Sequence, residues 1–211
     1  LVQAGDKDIE QLYNNALLAC DMLGEEAENK MAFFDVEMNN QRIWERKVED
    51  DMNRALANKE FQVYLQPKIS TAEEVLAGAE ALVRWIHPKE GFIPPNRFIP
   101  IFEKNGFISK LDYYIFDHVC AYIKERKLQG LRQIPISVNV SRMSLYNEQL
   151  AEDIIKLVTS YGLSPELFKI EITETAYSNN PTTITNTVNK LRAYGFTILM
   201  DDFGSGYSSL N

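Results

Sequence analysis

Oxygen-bearing side chains recur along this sequence where strands are predicted. Glu80, Asn139 and Glu171 each lie within or near the end of a strand-like stretch, and Asp201 and Asp202 directly follow another. Side chains at matching positions of parallel strands converge on one end of a sheet or barrel. Carboxylates brought together repel each other without a cation, and an all-oxygen set of ligands selects a hard ion. The pattern therefore predicts a Mg²⁺ or Mn²⁺ site.

Part of this pattern has a simpler interpretation. Asp201 and Asp202 precede two glycines, and aspartate with glycine is common in a solvated turn after a strand. Taken alone, this stretch supports a turn and a functional site equally. His87 and His118 do not share the spacing of the acids, and we interpret both as structural or surface residues.

The predicted elements would bring these groups together. Strands are predicted at residues 61–67, 75–85, 134–140, 168–173 and 196–200, with a further short strand at 31–34. The first two of the five are separated by a short polar connection, which favours an antiparallel hairpin. The later strands alternate with helices in units of roughly 30 residues, which is typical of a parallel sheet or barrel.

Helices are predicted around these strands by apolar residues at helical spacing. Their ranges are 8–23, 36–58, 96–105, 109–126, 147–161 and 180–195. Ser109 is predicted to cap the fourth helix, with Asp112 as its partner in a capping box.

Composition excludes several classes of partner. The net charge of −8 argues against a nucleic-acid polymer or an anionic membrane, so a phosphate-bearing substrate would require metal ions. Cys20 and Cys120 have no metal-type spacing, and we interpret them as reduced, packed thiols in a cytoplasmic protein. No apolar run reaches the roughly 20 residues of a membrane span, although a longer protein could carry an anchor elsewhere.

Six short motifs occur in one order over most of the chain. They are Tyr64-Leu-Gln-Pro67, Gly78-Ala-Glu-Ala-Leu-Val-Arg-Trp85, Phe98-Ile-Pro100, Ser137-Val-Asn-Val-Ser141, Glu171-Ile-Thr-Glu174 and Asp201-Asp-Phe-Gly-Ser-Gly-Tyr-Ser-Ser-Leu210. Together they resemble the EAL domains, which hydrolyse the bacterial messenger cyclic di-GMP. The resemblance implies an α/β fold, a TIM-like (β/α)8 barrel with an antiparallel first strand. About five of its eight strands would lie in this chain.

The resemblance also implies a two-metal site. Glu80, Asn139, Glu171 and Asp201 would hold one Mg²⁺ or Mn²⁺ ion, and Asp201 with Asp202 would engage a second. Glu80 and Asp202 would be catalytic residues. A two-metal site suits phosphodiester hydrolysis, because one ion activates water and both stabilise charge in an in-line displacement. The product would be the linear dinucleotide pGpG.

Further positions are assigned by the same resemblance. Gln66, Leu82 and Arg84 would line the dinucleotide, with Arg84 on a phosphate. Glu174 would anchor the loop 202–209, which shapes the second metal site and a homodimer contact through the barrel. From the sequence alone, Glu174 could equally be a surface acid, and Arg84 an ordinary ion-pair partner at the barrel rim.

The motifs also suggest a domain organisation. Residues 1–38 resemble the C-terminal tail of a GGDEF (diguanylate cyclase) domain, 39–60 a connecting helix, and 61–211 the N-terminal part of an EAL barrel. The family's general-base lysine, a further metal-binding glutamate and a glutamine have no counterpart before Asn211. We therefore expect a larger parent protein, and an unpaired strand edge and no activity in these residues alone. A non-catalytic cyclic di-GMP receptor, a protein-interaction module and an unrelated barrel hydrolase are the alternatives.

Overall fold

The computed structural model of the protein describes residues 8–21, 31, 33–173 and 181–201. The chain divides into two compact units, Leu1–Asp51 and Met52–Asn211. Glu174 and Asp202, together with the loop that follows Asp202, lie outside the described residues.

The first unit contains two helices, α1 (Ile9–Asp21) and the beginning of α2 (Val36–Ala57). Asp8 and Asp35 cap them, since the carboxylate of Asp8 accepts from the backbone N–H groups of residues 10 and 11, and that of Asp35 from residue 37. The short strand predicted at 31–34 is absent at the described residues 31, 33 and 34. Cys20 is exposed, so its interpretation as a packed thiol was wrong, whereas Cys120 is buried.

The second unit is built on a mixed sheet. Its described strands are β1 (Phe61–Ile69), β2 (Leu76–His87), β3 (Gly91–Ile93), β4 (Ile136–Asn139), β5 (Phe168–Thr173) and β6 (Thr197–Asp201). They follow the order β1-β2-β4-β5-β6, with β3 paired to β2. The predicted antiparallel hairpin β1–β2 and the parallel pairing of β2, β4, β5 and β6 are confirmed. Closure of this sheet into an eight-stranded barrel stays a prediction.

Five further helices accompany the described part of the sheet. They are α3 (Ile99–Asn105), α4 (Ile108–Leu128), α5 (Arg142–Leu145), α6 (Leu150–Ser160) and α7 (Pro181–Ala193). The helix predicted at 96–105 is divided into a 3₁₀ turn at Pro95–Arg97 and α3. Pro100 explains this division, because a residue without a backbone N–H fits the first turn of a new helix.

Two corrections concern the start of α4. Its N-cap is Phe107, not Ser109, and the Phe107 side chain makes no capping hydrogen bond; the backbone N–H of Phe107 donates to Asn105 Oδ1 at 3.0 Å. Asp112 is buried and does not complete a capping box with Ser109. Its carboxylate is instead bound to the segment after β4, a long-range contact that local spacing does not reveal.

The two faces of the sheet differ in chemistry. On one face, alternate residues of β2, β4 and β5 are apolar and buried; they are Ala79, Ala81, Val83, Trp85, Ile136, Val138, Ile170 and Ile172. Helix α4 packs against β1, β2 and β4. The opposite face carries the polar residues between them. Residues paired in register on neighbouring strands point to the same side. Glu80 pairs with Ser137 and Asn139 with Glu171, so all four lie on the polar face.

An aromatic cluster packs at the open end of the β1–β2 hairpin, where β1 begins and β2 ends. Phe61, Trp85, Phe98 and Phe102 are buried, and the centroids of their rings lie 5.1–6.0 Å apart. The indole N–H of Trp85 donates to Glu60 at 3.1 Å, which satisfies the polar atom of a buried ring. The Phe98-Ile-Pro100 motif thus contributes to packing near the hairpin.

Gly78 permits a close approach between β2 and the residue preceding β4. A Cβ atom placed on Gly78 would lie 2.7 Å from the carbonyl oxygen of Pro135, which also accepts the backbone N–H of Ala79 at 3.1 Å. We predict that Gly78→Ala lowers the free energy of unfolding by about 1–3 kcal/mol, because the two backbones must separate. Chemical denaturation would measure the loss.

Ala77→Val is the matched control, since it adds bulk at the exposed neighbouring position of the same strand. Equal stability of Gly78→Ala and the wild-type protein would contradict the inferred backbone contact.

Candidate active site

The polar face of the sheet brings Glu80, Asn139 and Glu171 together. Asn139 Nδ2 donates to Glu80 Oε1 at 3.0 Å across β2 and β4. Asn139 is in register with Glu171 on β5, a buried residue that is only 5% exposed. The prediction that these three positions converge on one site is consistent with this geometry, and their role as metal ligands stays a prediction.

A lysine that the sequence analysis missed lies among these carboxylates. Lys68 Nζ donates to Glu171 Oε1, lies 3.5 Å from Glu80 Oε2, and donates to Ser137 Oγ at 2.8 Å. Burial alone would lower the pKa of Lys68, but its hydrogen bond to Glu171 and the charges of both glutamates raise this pKa above the ordinary value. Lys68 therefore remains a cation at neutral pH.

A local signal for Lys68 was present in the sequence. It lies two residues after Gln66 on the same strand, so alternation places both side chains on one face. In the structure Gln66 pairs with Glu80 and Lys68 with Gly78. The spacing of Ser137 gave no such signal, because a single serine in an apolar strand is common. In the structure its hydroxyl donates to the carbonyl oxygen of Ala79 at 3.2 Å.

Asp201 ends β6 at the edge of this arrangement. It pairs with Thr173, two residues beyond the pair formed by Glu171 and Leu199, and its side chain is exposed. Alternation puts Asp201 on the same side of β6 as Leu199 and hence on the polar face. The structure thus places Asp201 on the expected face, towards the carboxyl end of the parallel strands. The predicted roles of Asp202 and Glu174 concern residues outside the described part of the chain.

The three predicted substrate contacts share the face of Glu80. Leu82 and Arg84 alternate with buried residues of β2, and Gln66 lies opposite Glu80 on β1. Leu82 and Arg84 are half-buried, and Arg84 Nη1 donates to the carbonyl oxygen of Val83 at 2.8 Å. These positions could line a ligand above the carboxylates, and that role stays a prediction.

The oxygen atoms of this site are of the kind that a hard divalent metal ion binds. Glu80 and Glu171 offer carboxylate oxygens, Asn139 offers an amide oxygen, and the ammonium of Lys68 shows that the two carboxylates accept a cation between them. In the described ranges, however, no three acidic, histidine or cysteine side chains are close enough to hold a metal ion together. The described residues thus supply a partial ligand set.

Asp112 fixes the segment that follows Asn139. Its Oδ2 accepts the backbone N–H of Ser141 at 2.9 Å and the hydroxyl of Ser144 at 2.7 Å, while Ser141 caps α5. Burial raises the pKa of Asp112 to about 6, against the lowering effect of these hydrogen bonds. The carboxyl group therefore links α4 to the end of β4.

The two histidines make contacts away from the carboxylates, in keeping with their interpretation as structural or surface residues. The Nδ1 atom of His87, which is buried at the end of β2, accepts the backbone N–H groups of Lys89 at 3.2 Å and Glu90 at 3.0 Å. His118 Nδ1 lies 2.9 Å from the carbonyl oxygen of Tyr114 within α4. Neither contact involves the carboxylates of the polar face.

Fold and site together define an α/β domain with an acidic, oxygen-rich site on the polar face of a mixed sheet. A family model described as the EAL domain matches residues 49–211. The chain therefore belongs to the EAL domain family. The earlier resemblance to a GGDEF tail in residues 1–38 and the proposed domain boundaries stay predictions.

Curated relatives support this assignment. The cyclic di-GMP phosphodiesterase RocR of Pseudomonas aeruginosa is 40% identical over 162 residues, covering 76% of this chain and 41% of RocR. The cyclic di-GMP phosphodiesterase NbdA of the same species is 30% identical over 201 residues, covering 95% of this chain and 26% of NbdA. The domain is thus homologous to cyclic di-GMP phosphodiesterases, and it spans less than half the length of either relative.

A solved structure is similar in fold as well as in sequence. The PaMucR phosphodiesterase in complex with c-di-GMP matches with a TM-score of 0.72 and 29% identity, over 77% of this chain and 66% of the other.

Across the described ranges, none of the helices combines the length and apolar character needed to cross a membrane.

The buried carboxyl group of Asp112 should make stability depend on pH. Folding raises its pKa from 3.8 to about 6, so its stabilising contribution is present at low pH and lost as pH rises through about 6. We predict that Asp112→Asn removes this loss. Between about pH 4 and pH 8, the unfolding free energy of the variant should gain about 2 kcal/mol relative to wild type.

Urea denaturation at a series of pH values would measure this difference. Asp153→Asn on α6 is the control, because it makes the same chemical change at a carboxylate that is partly exposed at the surface. Parallel pH profiles for wild type and Asp112→Asn would contradict the assignment.

Proposed function

We propose that this EAL domain, within its complete protein, hydrolyses cyclic di-GMP to linear pGpG with Mg²⁺ or Mn²⁺. The observation that carries the proposal is the cluster of Glu80, Asn139 and Glu171 on the polar face of the sheet. These residues belong to motifs of a domain whose relatives include cyclic di-GMP phosphodiesterases. Two carboxylates that face each other attract cations; Lys68 contributes one positive charge to them, and the proposed metal would bind the same carboxylates.

The residues of the polar face would bind two metal ions. Glu80, Asn139, Glu171 and Asp201 would hold one metal ion, and Asp201 with Asp202 would engage a second. When bound, the ions would activate water and stabilise charge on the phosphoryl group. The hydrogen bond from Asn139 to Glu80 orients that carboxylate before any ligand arrives.

The substrate would be held on the carboxyl side of these residues. Leu82 and Arg84 follow Glu80 along β2, and Gln66 faces it from β1. Arg84 would contact a phosphate, and Gln66 and Leu82 would line the dinucleotide. Glu174 would anchor the loop after Asp202. A homodimer through the barrel is a part of this proposal that rests on the family resemblance alone. A cytoplasmic location is a further part, and it rests on the interpretation of Cys20 and Cys120 as reduced thiols.

The decisive test is Glu171→Ala in the intact protein. Removing a proposed metal ligand should lower kcat/KM for cyclic di-GMP by more than about 100-fold, since the ion would lose a ligand from the most buried position of the site. Chromatographic detection of pGpG measures activity, and calorimetry with Mn²⁺ measures binding, which should weaken strongly. Glu166→Ala, an exposed glutamate before β5, is the control and should retain both.

Two outcomes would count against the proposal. Retained activity and unchanged Mn²⁺ affinity in Glu171→Ala would remove the site assignment. A wild-type protein that binds cyclic di-GMP tightly but produces no pGpG with either ion would instead be a receptor.

A further inference from the structure

The backbone of Lys68 lies on the opposite side of Glu80 from the proposed substrate contacts Leu82 and Arg84. It pairs with Gly78, which precedes Glu80 on β2, whereas Leu82 and Arg84 follow Glu80. The Cα atom of Lys68 therefore lies nearer the amino ends of the parallel strands than that of Glu80, and its side chain extends to the two carboxylates.

The ammonium is shared by both glutamates. Lys68 Nζ donates to Glu171 Oε1, lies 3.5 Å from Glu80 Oε2, and is held in place by Ser137 Oγ at 2.8 Å. The side chain of Glu171 is 6% exposed and that of Glu80 is 22% exposed, so water compensates their charges only in part. Without Lys68, two partly desolvated carboxylates would face each other without a described cation.

We propose that Lys68 is a built-in cation that competes with a divalent metal ion for Glu80 and Glu171. In the metal-free protein its ammonium holds the two carboxylates together. A divalent ion bound to the same carboxylates must either displace this ammonium or accept a positive charge close to it. Lys68 thus stabilises the metal-free site and weakens metal binding, and this inference rests on the metal site of the proposed function.

The coupling between the two cations is reciprocal. Whatever Lys68 contributes to the metal-free carboxylates must be subtracted from the affinity of an ion that replaces it. Ser137 strengthens this effect because it fixes the ammonium at the site and limits its retreat into solvent. The lysine would therefore set the metal concentration at which the site fills.

The first experiment measures stability without metal. In the intact protein with EDTA, Lys68→Met should melt at a lower temperature than wild type, because buried Glu171 loses its cation. Lys68→Arg keeps the charge and should melt closer to wild type. Lys156→Met, which removes a surface charge from α6, should melt as wild type. Equal melting of Lys68→Met and wild type would overturn the stabilising role.

The second experiment measures Mn²⁺ affinity by calorimetry. Lys68→Met should bind Mn²⁺ at least about tenfold more tightly than wild type, within the range of ordinary coupling between sites. Lys68→Arg and Lys156→Met should remain near wild type. Lys68→Gln provides a second neutral variant that can still bond to Ser137, should the methionine variant fail to fold.

The remaining outcomes separate this inference from the proposed function. Equal Mn²⁺ affinity in wild type and the neutral variants would overturn the competition and leave the metal site intact. Weaker binding in the neutral variants would also overturn it and would make Lys68 a support for the bound ion. No binding in any variant would overturn both the competition and the proposed metal site.

Discussion

The strand register of the parallel strands β2, β4 and β5 is the constraint on which the site depends. Pairing Glu80 with Ser137 and Asn139 with Glu171 puts four polar side chains on one face. A shift of one residue in any strand would turn its polar groups to the helix-covered face and its apolar groups away from it. The apolar packing of the opposite face therefore enforces the geometry of the site, because Ile136, Val138 and Ile170 are all fully buried.

This arrangement brings the carboxylates of Glu80 and Glu171 together, and the antiparallel hairpin supplies a cation that offsets their repulsion. β1 runs against β2 and carries Lys68 to the carboxylates from a strand that lies outside the parallel series. A parallel neighbour would need a long crossover, whereas a hairpin supplies its side chains after a short turn. The hairpin is thus both a fold element and the source of the only cation described in contact with Glu80 and Glu171.

The sequence predicted the hairpin, the parallel strands and the shared face of the acids, because each depends on local periodicity and spacing. It failed where long-range contacts decide the outcome. Asp112 has the spacing of a capping-box residue, yet burial against Ser141 and Ser144 gives it another role. Alternation along β1 places Lys68 on the same face as Gln66, but its partner on β5, Glu171, is 103 positions away in the sequence. The three-residue strand β3 is too short to show a periodic pattern.

Asn139 illustrates how these long-range contacts prepare the site. On one side along β4, Ser137 is bonded to Lys68 and to the backbone of Ala79. On the other side, Ser141 is held by the buried carboxyl group of Asp112. The backbone of β4 is therefore fixed two residues before and two residues after the amide. With its backbone held on both sides and its amide bonded to Glu80, Asn139 needs less reordering when a ligand binds, which is the physical basis of preorganisation.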